Sequence, residues 1–319
     1  MEGSAFDADG EWLKVALHDH STRSDGHLEP AQHVAYHEWA GFDVLVFTDH
    51  WRLTRMPSTR HLLVMTGAEL AVDPIGAERY SEILAIGIEE LPDDPGGDRS
   101  HWGPIENYVF KTFPDYPTAA SYITAQGGVC YIAHPYWSGL PPEIVVGADG
   151  VTGLELFNAS AERENGRGDS SYVWDLALEA GRSFTAIATD DSHYGAFDIG
   201  HAWTMVRAPE RTPDAVLSAL RAGHHYASAG PEIHDVRRDG DHVEVACGPC
   251  RSVVLHSRYE TGWGVTAGER ARQDGVRILE RNDAGLIVRA RFEPDVDDLP
   301  FVRVVVTDAR GRSAWTNVV

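Results

Sequence analysis

The sequence has few cysteines and no long apolar run, and both shortages exclude whole classes of protein. Only 3 of its 319 residues are cysteine, too few for the disulfide framework of a small secreted domain. No apolar stretch approaches the roughly 20 residues that a membrane-spanning helix requires. The first residues also lack the basic start and apolar stretch of a signal peptide. We therefore expect a cytoplasmic protein that has no membrane partner.

Basic residues are scarce as well. The chain carries 27 lysines and arginines against 49 aspartates and glutamates, which gives a formal net charge of −22. A field of this sign repels a phosphate backbone, so we do not expect extended nucleic acid as a partner. A small anionic substrate remains compatible with this charge, because bound metal ions invert the local potential of a site. The sequence leaves the oligomeric state unknown.

Two of the cysteines form the tetrapeptide Cys247-Gly-Pro-Cys250, which matches a thioredoxin-like redox motif. A redox motif of this kind should open a helix after a strand in a βαβ unit. Here it follows the segment 241–246, whose alternation of apolar and polar residues is typical of a strand. We therefore expect a hairpin turn at this position rather than a redox site.

Apolar runs and helical segments alternate over the first two-thirds of the chain, which indicates an α/β architecture with parallel strands. The predicted strands are 12–17, 44–47, 62–65, 83–88, 129–133, 153–157, 184–188 and 203–206. After about residue 225, apolar and polar residues alternate in short segments that turn residues separate. This pattern predicts a small all-β, sandwich-like domain. We place the boundary near Gly230, giving domains 1–228 and 229–319.

Histidines and carboxylates follow directly on five of the predicted strands. The carboxyl ends of parallel barrel strands meet on one face, where active sites are built, so we expect these side chains to converge. The groups are His18 and His20 after 12–17, Asp49 and His50 after 44–47, Glu69 after 62–65, His134 after 129–133, and Asp190, Asp191 and His193 after 184–188.

The spacing within these groups suits metal binding. Residues two apart in extended chain point to the same side, so His18 and His20 can reach one ion, and so can Asp191 and His193. Mixed imidazole and carboxylate ligands suit Zn, Mn or Fe rather than Ca or Mg alone. Glu69 has two oxygens and can bridge two ions. Ions about 3.5–4 Å apart can then share a hydroxide as nucleophile.

These residues form an ordered motif set that resembles the PHP family, the polymerase and histidinol phosphatase domain. The motifs are His18-Asp-His20-Ser-Thr-Arg-Ser-Asp25-Gly26, Thr48-Asp49-His50, Glu69, Ala133-His134-Pro135 and Asp191-Ser-His193. The resemblance covers residues 11–225 and implies a distorted (β/α)7 barrel with two or three divalent ions. Members of that family hydrolyse phosphate esters or proofread DNA. The resemblance thus predicts a phosphoesterase that cleaves a small mono- or diester through a metal-bridging hydroxide.

The resemblance also divides the ligands among ions. It assigns one ion to His18, His20, Glu69 and Asp191, a second to Asp25, His50 and His193, and a third to Glu69 and His134. Glu82 stands where the family usually has a further histidine for the third ion. This departure puts the third ion in doubt, although Glu82 could replace the histidine as an oxygen ligand.

Two further segments, 153–158 and 220–231, resemble the branch of that family that contains carbaryl-hydrolysing enzymes, the CehA/McbA-like metallohydrolases. The branch includes phosphoesterases and a carbamate ester hydrolase. Hydrolysis of a non-phosphate ester, a carbamate or an amide therefore remains an alternative function. A second alternative is a non-catalytic, metal-binding interaction module.

Five residues near the motifs are candidates for supporting roles. His201 could act as general acid toward the leaving group, or could be an ordinary loop histidine. Arg163 and Arg167 follow the sixth predicted strand and could clamp a phosphate, or could belong to a solvated loop. Asp49 and Asp190 are expected to orient ligands rather than to bind metal themselves.

His33 and His37 lie four residues apart and share one face of a predicted helix at 31–40. In isolation this spacing suits a metal site. Because the helix is expected to pack outside the barrel, we expect surface or packing residues instead.

Overall fold

The computed structural model describes residues 4–74, 81–94, 96, 100–102, 109–195, 197–240, 242–271, 273–294 and 299–319. Within these ranges the protein has a mixed α/β fold whose largest unit is a 13-stranded sheet. A four-stranded and a two-stranded sheet accompany it. No helix in the described part of the chain is long and apolar enough to cross a membrane.

The first two-thirds of the chain alternates strands and helices, as expected. The strands are β1 (Glu11–Ala16), β2 (Val44–Phe47), β3 (Leu63–Ala71), β4 (Glu82–Ile86), β5 (Ser100–Trp102), β6 (Val109–Lys111), β7 (Val129–Ile132), β8 (Gly153–Asn158), β9 (Thr185–Thr189) and β10 (Trp203–Ala208). The helices are α1 (Pro30–Trp39), α2 (Tyr116–Ala125), α3 (Pro142–Val146), α4 (Ala159–Asn165), α5 (Ser171–Glu179) and α6 (Pro213–Ala222). Each predicted strand of this region is present, and β3 continues past its predicted end to include Glu69.

Strand direction differs from the expected parallel arrangement at two places. β1, β2 and β3 are parallel, as are β7, β8 and β9. β4 is antiparallel to both β3 and β7, and β10 is antiparallel to β1. The reversal of β4 brings its first residue, Glu82, to the edge where its parallel neighbours end. β2, β4 and β9 are buried at every position and show no alternation of exposed and buried residues, so their sequences do not reveal direction.

Helix ends follow local sequence signals. Thr212 caps α6 by accepting the backbone N–H of Ala215, and Pro213 occupies the first turn, where its missing N–H costs nothing. Gly223 ends α6 with a φ of 78°, a left-handed conformation that glycine adopts without strain. Asp115 caps α2 in the same way. The α/β region therefore has short, well-defined helices between its strands.

The outer strands of the α/β region approach each other at β9 and β10. Between them the hydrogen-bonded order is β10-β1-β2-β3-β4-β7-β8-β9. On β10, Thr204 accepts the backbone N–H of Ala188 at 3.2 Å and donates to the Ala188 carbonyl at 3.0 Å. The sheet is therefore curved enough for its first and last strands in this region to meet through a side chain.

From His225 onward the described residues form strands and loops. The strands are β11 (His225–Ser228), β12 (Ile233–Asp239), β13 (His242–Cys250), β14 (Ser252–His256), β15 (Gly262–Thr266), β16 (Val276–Arg281), β17 (Ile287–Phe292), β18 (Arg303–Thr307) and β19 (Ser313–Thr316). The four-stranded sheet has the order β12-β13-β17-β16. Its buried residues share one hydrophobic cluster with β14 and β18, through side chains such as Val245, Phe292, Leu255 and Val304.

These C-terminal strands are joined closely to the α/β region. β14, β15, β18 and β19 extend the large sheet through β11, which pairs with β10. Buried Arg303 binds the carboxylate of Asp175 on α5 with two hydrogen bonds of 2.8 and 2.7 Å. Asn317 accepts the backbone N–H of Ala186 on β9 at 2.8 Å. Because the large sheet crosses residue 229, the division into domains 1–228 and 229–319 stays a prediction.

Cys247 and Cys250 do not form the expected hairpin turn. Both lie in β13, at a bulge where its register against β17 shifts after Ala246. The two thiols are free and buried, with their sulfurs 3.4 Å apart. A bulge absorbs the proline within the strand, because the bulged residues leave the hydrogen-bonding ladder.

Candidate metal centre

The structure brings all eight predicted ligands to one edge of the large sheet and adds Glu82 to them. Backbone bridges between neighbouring chain segments, Asp19 with Ser192 and His50 with Glu69, hold this edge together. We call the following nine side chains the strand-end cluster: His18, His20, Asp25, His50, Glu69, Glu82, His134, Asp191 and His193.

Two imidazole nitrogens at the centre of the strand-end cluster each lie within coordination-shell distance of the same two carboxylate oxygens. His18 Nε2 lies 3.0 Å from His20 Nε2, 3.1 Å from Glu69 Oε2 and 3.3 Å from Asp191 Oδ1. His20 Nε2 lies 3.1 and 3.4 Å from the same two oxygens. Ligands about 2.0–2.1 Å from a tetrahedral ion lie about 3.4 Å from one another. Asp191 Oδ1 is buried without a hydrogen-bond donor, as expected for an oxygen that faces a cation.

A second group adjoins the first and contains Asp25, His50 and His193. Asp25 Oδ2 lies 3.2 Å from His193 Nε2 and 3.5 Å from His50 Nε2. His20 belongs to this group as well, since its Nδ1 lies 3.4 Å from Asp25 Oδ1. One imidazole therefore lies between the two groups, which the division of ligands by motif did not predict.

A third group contains both glutamates. Glu69 Oε1 lies 3.2 Å from His134 Nε2, while the other oxygen, Oε2, lies 3.4 Å from His50 Nδ1. Glu82 completes the group, with oxygens 3.6 Å from His134 Nε2 and 3.4 Å from His50 Nδ1. Glu69 thus directs one oxygen to the first group and one to the third, and Glu82 stands beside the third as an oxygen donor.

Glu155, which the sequence analysis did not single out, orients His18. Its buried carboxylate lies 2.7 Å from His18 Nδ1 and also accepts hydrogen bonds from Thr189 Oγ1 and the His134 backbone. When His18 Nδ1 donates its proton to Glu155, the lone pair of Nε2 faces the cluster, as a metal ligand requires. The signal was present in the sequence, since a carboxylate inside the buried strand β8 needs a partner.

Other hydrogen bonds orient the remaining ligands. Asn158 donates its side-chain N–H to Asp191 Oδ2 at 3.0 Å, which leaves Asp191 Oδ1 directed at the cluster. The Nδ1 atom of His193 lies 3.0 Å from the backbone carbonyl of Asp191, and that of His134 lies 3.0 Å from Ser138 Oγ. In both imidazoles Nε2 is the atom that faces a carboxylate of the cluster.

Backbone strain accompanies these ligands. Among the described residues other than glycine, φ is positive at Trp51 (50°), His134 (26°), Asp191 (53°) and Tyr259. The first three lie in or beside the strand-end cluster. Such conformations cost on the order of 1–3 kcal/mol each and persist where the surroundings enforce them, commonly at functional sites.

The electrostatics of the strand-end cluster favours added positive charge. Burial opposes the charged forms, but the carboxylates of Asp191, Glu69 and Glu155 outweigh it and raise the pKa of His18 well above its ordinary value. The pKa of Glu69 is lowered well below its usual range, because nearby imidazoles, first His18, overcome the effect of burial. Burial and then Glu69 raise the pKa of Glu82 to about 7. Divalent ions would supply the compensating charge that protons supply otherwise.

Asp49 and Asp190 support loops rather than ligands directly. Asp49 accepts hydrogen bonds from the backbone and hydroxyl of Ser21 and from Ser24 Oγ, so it holds the loop that carries Asp25, and an orienting role toward His50 stays a prediction. Asp190 accepts the backbone N–H groups of Gly200, His201 and Ala202. Burial, and then the charge of Asp19, raises the pKa of Asp190 to about 7.

His201 and Arg163 contact each other instead of a cluster ligand. Arg163 lies on α4, and its guanidinium binds the Phe197 carbonyl at 2.8 Å and His201 Nδ1 at 3.0 Å. His201 Nε2 lies 2.6 Å from the same carbonyl. Burial lowers the pKa of His201, and Arg163 lowers it further. This arrangement engages both nitrogens of a neutral imidazole, so the structure does not favour His201 as general acid.

Arg23 and Arg52 line a surface groove together with Trp51, Glu89 and Glu90, and none of the strand-end ligands is among its described lining residues. Arg167 is exposed, with its guanidinium 5.8 Å from the centre of the Tyr136 ring, two residues after His134. Arg23 and Arg52 each lie two residues from a ligand, Asp25 and His50 respectively.

Comparisons with known proteins give a distant likeness only. No family model matches the chain, and no curated protein matches it either. Among solved structures, it is similar to a two-domain protein from Bacteroides vulgatus that contains a predicted PHP-like metal-dependent phosphoesterase. The identity is 16% and the TM-score 0.49, over 97% of this chain and 96% of that one.

Two shorter structural matches are weaker. An amidohydrolase from Chromobacterium violaceum, with bound sulfate and no metal, is 17% identical with a TM-score of 0.43, over 66% of this chain and 96% of that chain. A candidate metal-dependent phosphoesterase from Bifidobacterium adolescentis is 17% identical with a TM-score of 0.39, over 59% and 90%. At these values the function has to be argued from the site itself.

Proposed function

We propose that this protein is a metal-dependent hydrolase that cleaves a small phosphate mono- or diester. The observation that carries the proposal is that the Nε2 atoms of His18 and His20 lie 3.0 Å apart, and that each lies 3.1 to 3.4 Å from Glu69 Oε2 and Asp191 Oδ1. Two further ligand groups adjoin this first group. The first and second groups share His20, the second and third share His50, and the first and third share Glu69. Adjoining groups with shared ligands suit a multinuclear hydrolytic centre.

The residues present fit divalent ions of the Mn, Zn or Fe class. Imidazole and carboxylate donors are the ligands that these ions prefer. Asp191 Oδ1 is buried and accepts no hydrogen bond from the described part of the chain, and Glu155 orients the His18 ring. Both features are typical of metal ligands. Bound ions would act as Lewis acids and provide an activated water at neutral pH.

The chain's own residues perform the positioning. Glu155 and the Asp191 carbonyl fix the tautomers of His18 and His193, so that Nε2 of each faces the cluster. Asn158 holds Asp191 in its inward orientation. These contacts keep the ligands in place before substrate binds, so little reorganisation is needed during the reaction.

We propose a small anion as the substrate and the exposed arginines Arg23, Arg52 and Arg167 as the groups that bind it. Arg23 and Arg52 line the groove beside Trp51, and Arg167 lies on the side of His134. A guanidinium can bind two phosphate oxygens at once, which orients the group that is attacked. Arg163 stabilises the segment that carries His201 through hydrogen bonds, and His201 has no part in the proposed chemistry.

The finer assignments belong to the same proposal. They are membership of the PHP family and of its CehA/McbA-like branch, a distorted (β/α)7 barrel closed near Thr204, and a separate β-sandwich domain over 229–319. A cytoplasmic location and a small-molecule partner, with no extended nucleic acid, complete it. The ordered motifs support the family, and the meeting of β9 with β10 supports the barrel.

The test is a substrate panel on purified full-length protein. It compares para-nitrophenyl phosphate, bis(para-nitrophenyl) phosphate, para-nitrophenyl acetate and a para-nitrophenyl carbamate, each with Mn, Zn or Fe. We expect metal-dependent release of nitrophenol from a phosphate ester. His20→Gln should abolish it, whereas the matched variant His61→Gln, at an exposed loop position, should retain it.

Other outcomes of the panel would reject the proposal in distinct ways. Turnover of the acetate or carbamate alone would show a non-phosphate ester, carbamate or amide hydrolase. Stoichiometric metal without turnover of any substrate would favour a non-catalytic interaction module.

A further inference from the structure

A second cluster of histidine and carboxylate side chains lies between helix α1 and the segment 18–20. It consists of Asp19, His33 and His37, and we call it the helix cluster. All three side chains are at most 1% exposed. Of the two roles expected for His33 and His37, the surface role was therefore wrong, while a packing role agrees with their burial. Their shared face of α1 turns inward, against the end of β1, and meets Asp19.

The spacing of the helix cluster suits a single ion. His37 Nε2 lies 3.3 Å from Asp19 Oδ1, and His33 Nδ1 lies 3.9 Å from the same oxygen. One ligand atom from each residue can be chosen so that all lie within 4.8 Å of one another. A tetrahedral ion with bonds of about 2.0–2.1 Å separates its ligands by about 3.4 Å. Small side-chain rotations would therefore complete the geometry.

Most of the polar atoms of the helix cluster face one another without donors, whereas Asp19 Oδ1 accepts a hydrogen bond from Ser192 Oγ at 2.5 Å. His37 Nδ1 lies 2.9 Å from the His33 carbonyl, an acceptor, so Nδ1 carries the proton and Nε2 presents a lone pair to Asp19. Asp19 Oδ2, both ring nitrogens of His33 and His37 Nε2 are buried without a hydrogen bond of normal geometry, although the backbone of His20 faces the His33 ring. Buried polar atoms of this kind are rare and call for a partner.

A proton alone satisfies only part of this cluster. Added to His37 Nε2, it would pair that nitrogen with Asp19 Oδ1 but leave His33 and Asp19 Oδ2 as they are. The surroundings add further negative charge, because the carboxylates of Asp49 and Asp190 act on the same histidines. A divalent ion would engage all three side chains and offset that charge.

We propose that Asp19, His33 and His37 bind a structural divalent ion of the zinc class, separate from the strand-end cluster. Two imidazoles and one carboxylate form a common ligand set for zinc. The ion fastens α1 to the segment 18–20, whose outer residues, His18 and His20, are directed to the strand-end cluster. It would therefore stabilise the backbone that presents those ligands, without contacting substrate.

The first test counts metal in the full-length protein loaded with Zn²⁺ alone and then desalted. We expect the double variant His33→Leu/His37→Leu, whose apolar side chains suit a buried helix face, to hold one equivalent less than the natural protein. An Asp191→Asn variant should keep the helix-cluster ion while its strand-end content falls. Equal zinc content in the double variant and the natural protein would overturn the proposal.

The second test does not depend on the folding of the double variant. His37→Cys keeps a zinc-class ligand in place, and with Co²⁺ we expect a thiolate-to-cobalt charge-transfer absorption. The natural protein, which has Cys130, Cys247 and Cys250 but no cysteine at the helix cluster, serves as the control for background thiols. Absence of the additional band in a folded, cobalt-loaded His37→Cys protein would also overturn the proposal.

Discussion

The strand-end cluster and the helix cluster lie on opposite sides of one short backbone segment, residues 18–20. Alternation along extended chain sends His18 and His20 to one side and Asp19 to the other. The strand-end cluster combines ligands from several strands, and Glu69 alone lies 3.1 to 3.4 Å from imidazoles of four histidines. The helix cluster has a single carboxylate between two histidines. Ligand density therefore separates a multinuclear centre, suited to catalysis, from a site for one structural ion.

Buried histidines elsewhere show what the carboxylates contribute. His225 is fully buried on β11, and burial lowers its pKa to about 3. His134 is also buried, yet Glu69 overcomes the effect of burial and raises its pKa to about 9. The pKa of the same residue type thus shifts in opposite directions, depending on whether nearby carboxylates outweigh the effect of burial.

The largest effect is expected for Glu69→Gln. Loss of this carboxylate removes the oxygens shared by the first and third ligand groups, so metal content should fall and hydrolysis should drop to the metal-free background. Metal analysis and turnover, with circular dichroism to verify folding, check it. Glu143→Gln, an exposed change on α3, is the matched control. If Glu69→Gln retained metal and turnover, ligand density would not separate a catalytic strand-end cluster from the helix cluster.

A smaller effect is expected for Glu155→Gln. The amide oxygen can still accept from His18 Nδ1, but the negative charge that strengthens this ligand is lost. We expect metal affinity or activity to fall by roughly 10- to 100-fold. Metal titration followed by turnover measures both quantities. An unchanged affinity would mean that Glu155 is structural and does not act through His18.

The pH dependence of the free energy of unfolding tests whether burial lowers the pKa of His225. An unfolded histidine takes up a proton below pH about 6.5, whereas folded His225, with a pKa of about 3, stays neutral. The folded state is thus favoured fully above pH 6.5 and loses stability as pH falls toward 3, by about 2 kcal/mol between pH 6.5 and 5. His225→Phe should remove this loss in urea unfolding at several pH values. An unaltered slope would contradict the assignment, and exposed His61→Phe is the control.

The smallest effect is expected for Ser192→Ala. Ser192 Oγ donates to Asp19 Oδ1 at 2.5 Å, and a hydrogen bond to a buried carboxylate contributes about 2 kcal/mol. We expect the free energy of unfolding to fall by that amount while strand-end metal content stays the same. A loss of metal equal to that of Glu69→Gln would show that the two clusters are not energetically separate.

Sequence patterns predicted the first strands and the convergence of eight side chains, because both depend on local periodicity and on residues directly after strands. They did not predict the direction of β4, since the four residues after Glu82 are apolar and would be buried in either direction. Glu155 was missed because its partners, His18 and Thr189, are far away in sequence. The sequence left a surface and a packing role open for the two histidines of α1, because histidine is common in both places. Only tertiary structure shows Asp19 opposite them.

The most direct test of the central claim is turnover of para-nitrophenyl phosphate and bis(para-nitrophenyl) phosphate by chelator-stripped protein as Mn or Zn is added back. If the strand-end cluster forms a hydrolytic metal centre, activity should be absent at first and should rise with bound metal until its ligand groups are filled. It should not rise in Glu69→Gln. Turnover of either ester that is independent of bound metal, or metal bound at these residues with no turnover of any phosphate ester, would contradict the account.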